Sequence, residues 1–241
     1  MLLWILKEKV MIKGIVFDLD HTLFDRYGTL RAVLPHMYKG LRHWIAEEIS
    51  CDEFVEAVVE GDKQWIHVGW KPIIENLMLK GVFKPETEVK TVIRFLVDEC
   101  WPIAAVEFPF AKPMLMQMRE EGYKLGIITN GPHKNQDLKL DMLGLKPYVD
   151  EIVISGDLPA GKPERLPFDV MSERIGIPAG ELLYVGDNPL NDVFASRNAG
   201  YIPVWVATTG TWIFGDLKRA DYEIETIAEI PELVHKLNAK E

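Results

Sequence analysis

The sequence predicts an α/β protein, with a parallel sheet covered by helices on both faces and an all-helical module inserted after the first strand. That architecture rests on three features. Short apolar, β-branched runs recur from Lys124 onward, each separated from the next by a stretch of helical periodicity. One further run, Gly14 to Phe17, stands far upstream of the others. Between them, from about Tyr27 to Ala105, apolar residues repeat at helical spacing with no strand-like alternation.

Gly14 to Phe17 reads as a buried strand running into Asp18. In the helical stretch, Met37, Leu41, Trp44 and Ile45 share one face, as do Phe54, Val55, Val58 and Val59. Ile73, Ile74, Leu77 and Met78 form a third set, and Val92, Phe95 and Leu96 a fourth. Gly40, Gly61, Gly69, Pro72, Gly81 and Pro85 punctuate the region into about four helices. From Pro109 helix and strand alternate. Lys112–Glu121 is a helix, Lys124–Ile128 a strand, and Lys134–Leu143 a helix closed by Gly144. Glu151–Ile154 is a strand and Phe168–Ile175 a helix. Leu182–Val185 is a strand, Pro189–Ala199 a helix closed by Gly200, and Ile202–Val206 a strand. Strands and helices in this order make βαβ units and hence a parallel sheet. The expected division is residues 1–10 as an appendage, 11–26 with 106–241 as the α/β core, and 27–105 as the helical module.

At 241 residues, 48% apolar and 27% charged, the chain has the composition of an ordinary globular protein. Its net charge of −10 argues against nucleic-acid binding, which needs a basic surface to displace counterions. The same charge repels a phosphorylated ligand unless a metal or a local cation holds it. Cys51 and Cys100 show no metal-ligand spacing and are expected as two buried thiols in a reducing compartment. Residues 1–10 are too short an apolar run to span a bilayer and lack a cleavage signature, and a start of translation at Met11 is the alternative to an appendage. No membrane contact and a cytoplasmic protein are expected, either a monomer or a homodimer.

Ligands of open parallel sheets bind outside the carboxyl ends of the strands. Four polar clusters fall there. Asp18 and Asp20 follow the first strand, and Thr129-Asn130-Gly131 the second. Gly161-Lys162-Pro163 lies in the loop after the third, and Gly186-Asp187-Asn188 with Asn191-Asp192 follows the fourth. Each cluster alone has an ordinary explanation as a cap or a turn. Together and in order they suit one chemistry. Clustered carboxylates stay ionised around a hard cation such as Mg²⁺. One carboxylate attacks phosphorus and another moves protons. A Thr hydroxyl, main-chain N–H groups and a Lys ammonium hold the phosphoryl oxygens.

Asp18-x-Asp20-x-Thr22-Leu23, Ile128-Thr129-Asn130-Gly131, Gly161-Lys162-Pro163 and Val185-Gly186-Asp187 with Asp192 resemble the four ordered motifs of the haloacid dehalogenase-like hydrolase superfamily. The resemblance covers residues 11 to 26 and 106 to 215 and implies a Rossmann-like core with a helical cap in place of the inserted module. It implies Asp18 as nucleophile and Asp20 as general acid and base. Thr129, Asn130 and Lys162 would hold phosphate, and Lys162 would also serve catalysis. Mg²⁺ would be held by Asp18, Asp187 and the main-chain carbonyl of Asp20, with Asp192 orienting Lys162 or metal-bound water. The substrate would be a small phosphorylated metabolite, hydrolysed as a phosphomonoester through an aspartyl-phosphate. Asp20 favours this over metal-independent 2-haloacid dehalogenation, whose enzymes lack the second carboxylate. A phosphomutase on the same scaffold would share these motifs, and so would a phosphometabolite-binding protein that has lost turnover. Two positions depart from the motifs: Arg165, where Pro is usual, and His21, where Asp or Gly is commoner.

Around the motifs, Asp25, Asn188 and Asn191 are expected to cap helices or turns, and His133 to be a solvated loop residue. Trp44 is expected on a helix core face. Trp65, His67, Trp70 and Lys71 border a Gly69–Pro72 break and are candidates for a substrate-facing lip, with core packing the expectation for each. Lys7, Lys9 and Lys13 read as a solvated basic face.

Overall fold

A computed structural model describes residues 11–65, 69–209, 212 and 215–239. They pack as two compact units, one running Asp25–Val106 and the other joining the residues up to Phe24 with those from Glu107 onward. The N-terminal ten residues, with Lys7 and Lys9, and His67 lie outside the described residues.

The Asp25–Val106 unit is helical. It contains α1 (Arg26–Gly40), α2 (Cys51–Trp65), α3 (Trp70–Leu79) and α4 (Val89–Phe95), the last continuing into a wider turn over Leu96–Cys100. Asp25 caps α1 as expected, its Oδ1 accepting from the Gly28 N–H at 2.8 Å. The expected apolar faces meet in one core, with Leu34, Met37, Phe54, Val58, Ile74, Phe83 and Leu96 fully buried. Trp44 departs from expectation. It sits in a 3₁₀ turn, half-buried, because Lys84 N–H bonds its carbonyl and Ile45 pairs with Phe83. That bridging ends helical propagation after Gly40. Trp65 stays exposed, whereas Trp70 packs on the core. Cys51 is half-buried and Cys100 buried, both as free thiols.

The other unit is the α/β core. Its strands are β1 (Gly14–Phe17), β2 (Lys124–Thr129), β3 (Glu151–Ile154), β4 (Leu182–Gly186), β5 (Ile202–Val206) and β6 (Tyr222–Ile224). They form one sheet in the order β3-β2-β1-β4-β5-β6, every pairing parallel. The central strand β1 is buried throughout, which is why its sequence is a continuous apolar run. Phe17 pairs with Ile127 on one side and Val185 on the other.

The helices are α5 (Ala111–Glu120), α6 (His133–Leu143), α7 (Leu166–Ile175), α8 (Ala195–Asn198) and α9 (Ile230–Ala239). Phe168, Met171 and Ile175 of α7 pack on Val16, Ile128, Val153 and Tyr184. Strand alternation turns Ile15 and Ile127 to the opposite face, and there α5 packs on β2 and on α9. Gly144 ends α6 at φ 60°, a left-handed cap conformation that glycine adopts without a Cβ clash.

Two elements fall outside the expected pattern. The edge strand β6 has only three residues and shows no period. Helix α9 follows a capping box of Thr226 and Glu229, a local signal legible in the sequence. The expected helix Pro189–Ala199 also resolves differently. Its first part, Pro189–Phe194, is a π-type turn and only Ala195–Asn198 is α-helical. No helix among the described residues is long and apolar enough to cross a membrane.

Candidate active site

From β1 the chain builds outward through β2 and β3, then returns to β4 and builds the other way through β5 and β6. Strand order therefore reverses between β1 and β4, the position at which open α/β sheets bind ligands. Asp18 leaves β1 there and Asp187 leaves β4. Asp18 N–H donates to the Val185 carbonyl at 2.8 Å, which holds the two strand ends together.

Lys162 is the centre of the site. Its Nζ lies 2.6 Å from Asp18 Oδ1, 2.6 Å from Asp192 Oδ1 and 2.9 Å from the Tyr184 hydroxyl. All four residues are buried. One oxygen each from Asp18, Asp187 and Asp192 lies within 4.8 Å of the others. Burial, reinforced by the charges of Asp192 and Asp20, pushes the Asp18 carboxyl up to about 7 against the pull of Lys162. Burial would lower Lys162; Asp18 and Asp192 outweigh it and hold the ammonium well above the usual lysine range.

Asp192 is committed on both oxygens. Oδ1 accepts from Lys162 and, at 3.3 Å, from Tyr184, while Oδ2 accepts from the Asn188 N–H at 2.9 Å. The π-type turn delivers its side chain here, and such widened turns often mark functional positions. Gly186 leaves room for it: a Cβ at that position would stand 2.4 Å from Asp192 Cγ. Asn188 caps the turn, its Oδ1 accepting from the Leu190 and Asn191 N–H groups. Trp205 Nε1 donates to the Asp187 carbonyl at 2.7 Å.

Thr129 is the last residue of β2. Its Oγ1 is buried and has no hydrogen-bond partner among the described residues. An unpaired buried hydroxyl is costly, and an oxygen of a ligand or of water at this point would satisfy it. Asn130, expected among the phosphate-holding groups, spends its side chain elsewhere. Its Nδ2 donates to the Lys162 carbonyl at 2.7 Å and its Oδ1 accepts from the Lys162 N–H at 2.9 Å. Asn130 thus clamps the loop that carries Lys162. Gly161 must be small there, since a Cβ would meet Asn130 Oδ1 at 2.7 Å.

Asp20 is apart from the three-carboxylate cluster. Lys139 of α6 holds it, with Nζ at 2.7 and 2.9 Å from the two carboxylate oxygens. His21 follows at φ 62°, buried, and its carbonyl accepts from the Thr208 hydroxyl. His133 opens α6 and, exposed as expected, pairs through Nδ1 with Asp157 at 2.8 Å. Lys13 pairs with Glu181 at 2.8 Å. Arg165 lies just before α7 and pairs with Asp169, while Phe168 keeps its buried place against Tyr184.

Sequence reasoning missed Tyr184, Trp205 and Lys139. Tyr184 sits inside an apolar strand run and reads as core filler. Lys139 had one usable signal: it lies at helical spacing from Gln136, whose amide bonds the Asn130 carbonyl.

The sequence model of the haloacid dehalogenase-like hydrolases matches residues 12–200. The chain is 26% identical to the glyceraldehyde 3-phosphate phosphatase of Methanocaldococcus jannaschii, over 94% of this chain and 99% of that one. It is 27% identical to the N-acylneuraminate-9-phosphatase of Mus musculus, over 95% and 96%. Among solved structures, the HAD-hydrolase YfnB of Bacillus subtilis shares the fold with a TM-score of 0.73, at 19% identity over 93% of this chain and 99% of that one.

Proposed function

The chain belongs to the haloacid dehalogenase-like hydrolases, and from that premise we propose that it hydrolyses phosphomonoesters of small metabolites through an aspartyl-phosphate on Asp18. Both curated relatives named above are phosphatases of small phosphorylated compounds, which supports the ester class. The observation that carries the reading is the pairing of a buried Asp18–Lys162 contact at 2.6 Å with a buried Thr129 hydroxyl that has no partner among the described residues.

In the first step a carboxylate oxygen of Asp18 attacks phosphorus as the ester P–O bond breaks, and Asp20 gives its proton to the leaving oxygen. In the second, Asp20 takes a proton from water as the water oxygen attacks phosphorus. The bond to Asp18 breaks, inorganic phosphate leaves and the carboxylate returns. Thr129 and Lys162 hold the phosphoryl oxygens, Lys162 by exchanging its contact with the Asp18 oxygen that goes to phosphorus. Asn130 keeps Lys162 in place, and a phosphate contact of its own would come from its main chain.

The donor set fits a hard divalent cation. Three buried carboxylates gather one oxygen each within 4.8 Å, two of them in contact with the Lys162 ammonium, and every donor is oxygen. Asp18 and Asp187 would hold Mg²⁺, with the Asp20 carbonyl, while Asp192 is occupied by Lys162 and Asn188. When bound, the cation offsets charge on the phosphoryl oxygens.

The test is phosphate release from a panel of phosphometabolites and from p-nitrophenyl phosphate, with Mg²⁺ or excess chelator. Asp18→Asn and chelation are each expected to abolish turnover while circular dichroism stays native. Substantial p-nitrophenyl phosphate turnover by the Asp18→Asn protein would overturn the proposal.

A further inference from the structure

The geometry points to Lys139 as the residue that positions Asp20 for proton transfer, an inference that rests on the general-acid reading above. A carboxyl at the tip of a loop rotates about two side-chain bonds, and a proton donor serves only from a fixed place. Lys139 removes that freedom. Its single ammonium spans both oxygens of Asp20, at 2.7 and 2.9 Å. The side chains are 16% and 25% exposed, so the pair is shielded well beyond an ordinary surface ion pair.

The ammonium is itself held from a second direction. It lies 5.1 Å from the ring centroid of Phe24, a fully buried side chain. Phe24 closes the same loop as Asp20. The two are bridged, His21 N–H donates to the Phe24 carbonyl at 2.9 Å, and Phe24 N–H donates to the Leu19 carbonyl at 2.9 Å. On its own side, Lys139 follows Gln136 by three residues in α6, and Gln136 holds the Asn130 carbonyl. Asn130 in turn clamps Lys162. Asp20 is thereby referenced to the frame that places Thr129 and Lys162. Lys139 acts as a positioning residue, through the Asp20 carboxylate that it holds.

Leaving-group dependence separates positioning from a merely structural role. Phenolate needs a proton to depart and 2,4-dinitrophenolate does not. Lys139→Met is expected to lower kcat/KM for phenyl phosphate about tenfold or more, part of the about 10²–10⁴ that general acid catalysis supplies. The fall for 2,4-dinitrophenyl phosphate should stay below about threefold, KM should be nearly unchanged, and Lys139→Arg should recover most of the loss. Asp20→Asn should show the same selectivity with a larger fall. Should Lys139→Met not fold by thermal melting, Lys139→Gln carries the same comparison. Equal falls for both esters, no fall, or a rise in KM alone would overturn the inference while Asp20→Asn stays selective. Equal falls in Asp20→Asn itself would overturn the general-acid reading, and the inference with it.

Discussion

The Tyr184 hydroxyl lies 2.9 Å from the Nζ of Lys162, fully buried beside the ammonium that also contacts Asp18 and Asp192. The phenol accepts from Lys162 and is within 3.3 Å of Asp192, so it completes the ammonium's three contacts. Burial raises the Tyr184 phenol well above its usual range, and it stays neutral at working pH. Tyr184→Phe leaves one ammonium proton without a partner. A hydrogen bond to a charged group contributes about 1.5–3 kcal/mol. Urea unfolding should show a loss of that size, with slower turnover because Lys162 is less firmly held.

Gly186→Ala should disturb the site rather than the sheet. The added Cβ would stand 2.4 Å from Asp192 Cγ and 2.5 Å from its Oδ2. Relieving that overlap moves Asp192 off Lys162 and off the Asn188 N–H. A stability loss of about 1–3 kcal/mol, as for other overpacked sites, should accompany a larger loss of activity. Thermal melts and phosphate release measure the two effects separately.

Metal and protons should compete at Asp18. Its folded carboxyl titrates at about 7, against 3.8 for the free group. In chelator, therefore, the native state keeps a proton that the unfolded chain releases between those values. Stability from this group is fully present below pH 3.8, falls as pH rises and is gone above about 7. Mg²⁺ needs the ionised form, so its stabilising effect should run the opposite way. At a hundredfold excess over Kd it should reach about 2.7 kcal/mol at pH 8 and shrink toward zero at pH 5. Melting curves with Mg²⁺ and with chelator across that range test the sign. An Mg²⁺ shift that is larger at pH 5 would contradict it.

The two thiols should differ in reactivity. Burial pushes Cys100 up to about 12, whereas Cys51 is half-buried. Iodoacetamide at pH 8 should alkylate Cys51 in the native protein and Cys100 only after denaturation. Intact-mass measurement before and after adding denaturant counts the modified thiols.

Much of this molecule was legible in consecutive residues. The apolar runs of β1 to β5 and the helical repeats between them appear where local periodicity places them. Asp25 and Asn188 cap as their residue type suggests. The exceptions share a cause. Trp44 left its helix because Lys84 and Phe83, about forty residues on, offered its segment backbone partners. The first turns after Asn188 widened where Asp192 reaches Lys162.

The sequence alone determined the order of elements and put Asp18, Thr129 and Asp187 at strand ends and Lys162 in the loop after the third strand, because period and turn chemistry are local properties. Only the tertiary structure decided which groups touch. Asp20 pairs with Lys139 across 119 positions, the Asn130 side chain clamps the main chain of Lys162, and a tyrosine in an apolar strand becomes a partner of Lys162. Those choices follow from sheet order, which brings β1, β2 and β4 side by side. A buried charge then binds whichever neighbour can satisfy it, and the identity of that neighbour is not encoded in any local pattern.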